Sequence, residues 1–123
     1  MKISYITLIL AISLSSLVLA KDIKFIAGFE DIPIAKYMTQ NTDNDISFNN
    51  EETRYIETTL VAKQKQTFDE FKKFYTKTLP QLGWNLKLNS EKTLIFNRQN
   101  DILELQKLSN TPLKVSITLK NQN

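Results

Sequence analysis

Residues 67–84 read TFDEFKKFYTKTLPQLGW, and this stretch decides the fold. Thr67 and Glu70 have the spacing of a capping box, in which each side chain accepts a hydrogen bond from the other residue's backbone amide. Apolar side chains then recur at intervals of three and four residues, which is typical of a helix with one apolar face. Pro80 stops the helical pattern, and Gly83 supplies the positive φ of a helix exit. The stretch therefore predicts a helix over residues 67–79 and a tight corner into Trp84.

Alternating apolar and polar residues follow the corner and predict a meander of four short strands. The predicted strands cover residues 84–88, 93–97, 102–107 and 113–119. Turns of three or four residues separate them, so neighbouring strands should be antiparallel. Before the helix, residues 53–62 predict a further strand, and residues 46–48 a short strand that would form a hairpin with it.

These elements predict an α+β fold in which one amphipathic helix packs on an antiparallel sheet, in the order β-α-β-β-β-β. Residues 21–50 are interpreted as an irregular N-terminal arm, with a flexible loop over the polar run 39–45. Several apolar side chains of the arm should still pack over one edge or end of the core. They are Phe25, Ile26, Phe29, Ile32 and Ile34. Residues 51–123 form the α+β domain, and residues 21–123 are expected to fold as one unit. The outer face of the sheet is expected to be polar and open.

Residues 1–20 predict a secretory signal peptide. Lys2 precedes an apolar stretch, and Val18-Leu19-Ala20 suits cleavage after Ala20. An uncleaved inner-membrane anchor is the alternative, because the apolar run approaches the length of a membrane span. In both cases the rest of the chain is expected to be exported, either periplasmic or secreted.

The composition excludes several kinds of chemistry. Among 123 residues there is no histidine and no cysteine. A thiol nucleophile, a disulfide, a Cys/His zinc site and a Ser-His-Asp triad are therefore all excluded. The formal net charge is +3, and the basic residues are scattered along the chain, which argues against nucleic-acid binding. With two glycines in all, there is no glycine-rich phosphate loop.

Four residues remain as candidates for an interaction site: Asp31, Arg54, Trp84 and Arg98. Guanidinium groups form planar, forked hydrogen bonds, so Arg54 and Arg98 suit an anion or a carboxylate of a partner. The alternative is that each arginine forms an internal salt bridge or packs its stem on the sheet. Trp84 is either a binding-surface aromatic or a core residue that anchors the helix exit. No catalytic, metal-binding or cofactor-binding residue is assigned.

The corner from Phe74-Tyr75 through Leu79-Pro80-Gln81-Leu82-Gly83-Trp84 resembles that of a family of small exported alphaproteobacterial proteins with no assigned activity. The segments Phe96-Asn97-Arg98, Leu103-Glu104-Leu105 and Asp31-Ile32-Pro33-Ile34 resemble further positions of that family, as do Phe48, Arg54 and Glu57. The likeness covers about residues 31–119. It implies export, a shared fold and, within the family, a rickettsial member. It implies no activity.

We therefore expect a non-enzymatic exported domain that binds a partner of the periplasm or envelope through the open sheet face or the arm. A second hypothesis is a carrier of a small apolar or anionic ligand, with its pocket between helix and sheet beside Phe71, Tyr75 and Phe96. A third is a hydrolase that uses the carboxylates of Asp31, Glu52 and Glu57. No cofactor is expected, and membrane contact is expected only through an uncleaved signal segment.

Overall fold

The computed structural model describes residues 23–121, so the predicted signal peptide lies outside the described residues. The elements are β1 (Met38–Asn49), β2 (Arg54–Ala62), α1 (Phe68–Thr78), β3 (Asn85–Asn89), β4 (Thr93–Arg98), β5 (Asp101–Asn110) and β6 (Leu113–Asn121). A short 3-10 helix, Leu79–Leu82, joins α1 to β3. Within the described part of the chain, neither helix combines the length and apolarity that spanning a bilayer requires.

The six strands form one antiparallel sheet in the spatial order β1-β2-β6-β5-β4-β3, and α1 packs against it. The α+β class is therefore confirmed. The predicted element order β-α-β-β-β-β is wrong, because a second strand precedes the helix and the order is β-β-α-β-β-β-β. The last strand, β6, lies between β2 and β5 and so joins the β1–β2 hairpin to the rest of the sheet.

The additional strand is β1, which includes the polar run predicted as a flexible loop. It pairs with β2 from Met38↔Ala62 to Asn49↔Arg54, with a register shift between Asn41 and Ile46. This hairpin crosses residue 50, where the predicted arm ended. An edge strand needs backbone pairing on one side only, so polar side chains are tolerated there, and a bulge protects the edge from other chains. Apolar periodicity, the signal used for prediction, is absent from such a strand.

Side chains of β1 also bind the buried hydroxyl of Thr58 in β2. Gln40 Nε2 donates to Thr58 Oγ1 at 3.1 Å, and Thr58 Oγ1 donates to Asp45 Oδ1 at 2.6 Å. Gln40 also exchanges two hydrogen bonds with the backbone of Ala27 in the arm. The polar residues of β1 therefore stabilise the sheet and attach the arm to it.

Both predicted ends of the helix segment are confirmed. Thr67 is the N-cap, and its hydroxyl accepts from the amide of Glu70, whose carboxylate accepts in turn from the amide of Thr67. Gly83 has a φ of +90° and directs the chain into Trp84. The helix buries Phe68, Phe71 and Tyr75 against the sheet.

Residues 23–37 are irregular, as predicted, and they cover the core. Ile26, Phe29 and Ile32 are each at most 2% exposed, whereas Phe25 lies half exposed on the surface. The Tyr75 phenol on α1 forms two hydrogen bonds to the arm. It donates to the carbonyl of Pro33 at 2.9 Å and accepts from the amide of Ala35 at 3.1 Å. The arm is thus a part of the folded unit.

The predicted meander is confirmed as β3 to β6; β3 is exposed throughout, and alternate residues of β4, β5 and β6 are fully buried. They are Leu94, Phe96, Leu103, Leu105, Val115 and Ile117. The opposite face differs from the prediction of a polar, open surface. It includes apolar Ile46, Ile95 and Ile102 among its polar side chains, and Thr118 is buried there at 7% exposure. The face is a mixed surface because β1, β4 and β5 each contribute an apolar side chain to it.

Candidate functional site

Arg98 contacts two of the other three predicted site residues, Asp31 and Trp84. At the end of β4, its guanidinium donates to both carboxylate oxygens of Asp31, at 2.8 and 3.1 Å. It also donates to the carbonyl of Leu82 at 3.0 Å, and it lies over the Trp84 ring at 4.3 Å from the ring centroid. Asp31, Trp84 and Arg98 therefore form one cluster at the corner between helix and sheet.

The electrostatics of this cluster are those of a stable ion pair. The hydrogen bonds from Arg98, aided by its charge, hold the pKa of the Asp31 carboxyl below its ordinary value, and partial burial opposes them. The same hydrogen bonds raise the pKa of Arg98. Both groups are charged at neutral pH and satisfy each other.

Arg54 binds the neighbouring residue of the arm. Its Nη2 donates to Glu30 Oε1 at 3.0 Å, where the Glu30 side chain is 70% exposed. The two arginines thus bind consecutive residues, Glu30 and Asp31, and they attach the arm to one end of the sheet. At that end Arg54 binds Asn121, which pairs with Asp101, and Asp101 pairs with Arg98. This is the internal salt bridge that stood as the alternative to anion binding. Neither guanidinium is presented to a partner as an unpaired charge.

Trp84 is a core residue at 2% exposure. Its ring fills the corner below Arg98, and its Nε1 makes no hydrogen bond to any described residue. Of the two interpretations of Trp84, the structure supports the anchor of the helix exit.

The three carboxylates of the hydrolase hypothesis do not meet. Glu57 lies on the outer face of the sheet, where it accepts from the Tyr55 phenol at 2.8 Å. Asp31 is paired with Arg98 on the other side of the sheet, and Glu52 lies in the β1–β2 turn. Across residues 23–121, no three acidic side chains are grouped so as to hold a metal ion.

The ligand pocket was predicted in the wrong place. Phe71, Tyr75 and Phe96 are each 0% exposed, and they pack with the sheet as solid core. Their rings leave no space for a ligand at the middle of the helix.

A solvent-open groove of about 1000 Å³ lies instead at the N-terminal end of α1. Its walls are residues 62–69, the β3–β4 turn at Glu91, and Lys107 and residues 110–113 of the β5–β6 hairpin. We call it the Phe68 groove. Phe68 and Leu113, at 5% and 1% exposure, are its most buried apolar lining residues.

Lysines surround the apolar part of the Phe68 groove. Lys72 Nζ and Lys107 Nζ lie 5.3 and 5.9 Å from the centroid of the Phe68 ring, where an ammonium is attracted to the ring electrons. Lys63 and Lys65 belong to the loop that leads into the helix. Gln66, in the same loop, has a buried Oε1 with no hydrogen-bond partner among the described residues.

None of the groove residues was predicted as a site residue. Residues 63–66 read as a polar linker, and Phe68 as one more apolar position of the helix. The groove forms because the β5–β6 turn lies beside the start of α1, and residues about 40 positions apart in sequence carry no joint signal. No local pattern would have found it.

Fold and site together define a small single-sheet α+β protein with an accessible groove at one end of its helix. Comparisons with family models, with curated proteins and with solved structures found no match to this chain.

Proposed function

We propose that the chain is an exported, non-enzymatic binding domain, periplasmic or secreted, and that it binds a small ligand in the Phe68 groove. The observation that carries this proposal is the groove itself. Its volume of about 1000 Å³ is at the upper end of the range of roughly 300–1,000 Å³ that is usual for small-molecule sites. Apolar Ala62, Phe68, Pro112 and Leu113 lie among its polar and charged side chains, so the groove offers both kinds of contact to a ligand.

The other predicted binding surfaces are less suitable. The arm is attached to the core by Tyr75, Arg54 and Arg98, so the Pro33 carbonyl and the carboxylates of Glu30 and Asp31 already have partners. The outer sheet face forms no part of the Phe68 groove, nor of the small cleft at residues 50–52. The groove is therefore favoured over both.

The non-enzymatic part of the proposal is supported by the groove's side chains. They include lysines, glutamines, two threonines and two carboxylates, Asp69 and Glu91. Asp69 lies 3.7 Å from Lys72 and is therefore already paired. Export is proposed from residues 1–20, and membership in the exported alphaproteobacterial family from the corner at residues 74–84.

Binding of the neutral apolar dye Nile red tests the proposal. Dye fluorescence is expected to rise on titration with the protein. Asn110→Trp places an indole in the groove wall and should abolish the rise, because it fills the space. Asn100→Trp is the matched control, since Asn100 is an exposed turn residue outside the groove. Absence of dye binding, or equal binding by the two tryptophan variants, would exclude the groove as the binding site.

A further inference from the structure

The Phe68 groove has an apolar floor and a cationic rim. The floor is formed by Ala62, Phe68, Pro112 and Leu113, and the rim by Lys63, Lys65 and Lys107. We infer that its ligand is an anionic amphiphile, with a single apolar chain joined to a carboxylate or phosphate head. This inference rests on the proposed function, and it specifies the ligand class.

The floor suits an apolar chain. Phe68 and Leu113 are almost completely buried, and Ala62 and Pro112 continue the apolar lining toward solvent. Because Phe68 and Leu113 are already shielded, a hydrocarbon chain laid over the groove would remove mainly the accessible surface of Ala62 and Pro112 from water, together with its own. Such a contact is driven by apolar area and does not depend on the head group.

The rim suits a negative charge. Lys63, Lys65 and Lys107 have no carboxylate within 4.0 Å among residues 23–121. The groove also contains two carboxylates, which would repel an anion. Asp69 is paired with Lys72, so its charge is offset, and Glu91 belongs to the β3–β4 turn. Three unpaired ammonium groups therefore outnumber the one unpaired carboxylate.

The start of α1 adds to the positive potential. The Thr67 hydroxyl caps the amide of Glu70, which leaves the amides of residues 68 and 69 without a partner inside the helix. The helix dipole also favours an anion at this end. Neither effect defines a site alone, but both act on a head group that the lysines already attract.

Gln66 provides an additional polar contact. Its buried Oε1 lacks a partner among the described residues, and a half-turn of the carboxamide exchanges this oxygen with Nε2. The N–H groups would then be available as donors to an anionic head.

Probes with the same chain and different heads test the inference. Purified protein is titrated, below the micellar concentration of each probe, with decanoate, monodecyl phosphate and decyltrimethylammonium, and with acetate and inorganic phosphate as heads without a chain. Binding is followed by calorimetry and by the backbone amide resonances of Phe68 and Leu113. At least one decyl anion is expected to bind about tenfold more tightly than the decyl cation, and the two free anions should not bind.

Two lysine variants assign the effect to the rim. The double variant Lys65→Met/Lys107→Met keeps the apolar stems and removes two charges. It should weaken the binding of the decyl anion by about tenfold. Lys73→Met/Lys87→Met makes the same change in charge at exposed positions outside the groove and should leave the affinity unchanged.

Each outcome distinguishes the inference from the proposed function. Equal affinity for the decyl anions and the decyl cation, or equal weakening by the two lysine pairs, would overturn the inference while the groove remained a binding site. Inorganic phosphate or acetate binding as tightly as its decyl counterpart would also overturn it, because the chain would then contribute nothing. If no decyl probe binds, the inference fails, and the Nile red titration decides separately whether the groove binds ligands.

Discussion

Arg98 binds Asp31 through two hydrogen bonds, although 67 positions separate the two residues in the sequence. The pair attaches the N-terminal arm to the end of β4, directly over Trp84. Asp31 and Arg98 were predicted from the sequence as candidates to contact a partner, but they bind each other within the chain.

Arg98→Lys should lower the free energy of unfolding by about 1 kcal/mol, because an ammonium cannot form both hydrogen bonds to Asp31 and lie flat on the Trp84 ring. Arg54→Lys, the matched control, should cost less than about 0.5 kcal/mol, since the Glu30 side chain is 70% exposed. Urea unfolding at neutral pH measures both. Equal effects would contradict a special role for Arg98.

Acidification should weaken the attachment of the arm. The pKa of Asp31 is lower in the folded chain than its ordinary value of 3.8, so its contribution to stability is present above that value. The contribution is lost as the pH falls through the lower folded pKa. Asp31→Asn should therefore reduce the loss of stability below about pH 4. Urea midpoints over this range test the prediction, with Asp43→Asn on the exposed edge strand as the control. The same decrease in urea midpoint with falling pH for the wild type and Asp31→Asn would refute it.

Tyr75→Phe should destabilise the protein by about 1–3 kcal/mol, because it leaves the Pro33 carbonyl and the Ala35 amide unsatisfied next to the core. Tyr37→Phe, at an exposed tyrosine, should have little effect. Burial also raises the pKa of Tyr75 well above its ordinary value of 10.0. Its contribution to stability is therefore complete below about pH 10 and declines as the pH rises above it. Chemical unfolding at neutral and alkaline pH measures both effects, and a Tyr75→Phe variant as stable as the wild type would disprove the role of the phenol.

Gly83→Ala should cost about 1 kcal/mol, because a φ of +90° is strained for any residue with a Cβ. An added Cβ would meet only the flexible Arg98 side chain, at 3.4 Å from Cδ and 4.0 Å from Cγ, so the backbone conformation is the main penalty. Gly28→Ala, with a φ of +88° and open space around it, should cost about the same. Thermal unfolding compares them. A much larger loss at Gly83 would mean that packing against Arg98 dominates.

Export with cleavage after Ala20 should yield a chain that begins at Lys21 and folds as described. The contacts of the arm involve Lys24, Phe25 and Ile26, which all lie downstream of the predicted cut. Mass spectrometry of protein from the periplasmic fraction or the culture medium gives the first residue. A chain retaining residues 1–20 in the membrane fraction would instead support the uncleaved anchor.

Local patterns were sufficient to predict most elements. The capping box at Thr67 and Glu70 and the exit at Gly83 depend on residues within one helix, and the strands of the meander depend on alternation within a few residues. The end of edge strand β1, residues 46–48, was predicted as a hairpin strand, but its polar run 39–45 could not be predicted in this way, because it becomes a strand only by pairing with β2.

The sequence by itself determined the fold class, the helix ends, the meander and the chemistry that the chain lacks. Each of these depends on composition or on neighbours along the chain. Only the tertiary structure decided the partners of Arg54 and Arg98 and the position of the Phe68 groove. Those features depend on which distant segments meet, and the meeting is set by the insertion of β6 between β2 and β5 and by the packing of the arm over the core.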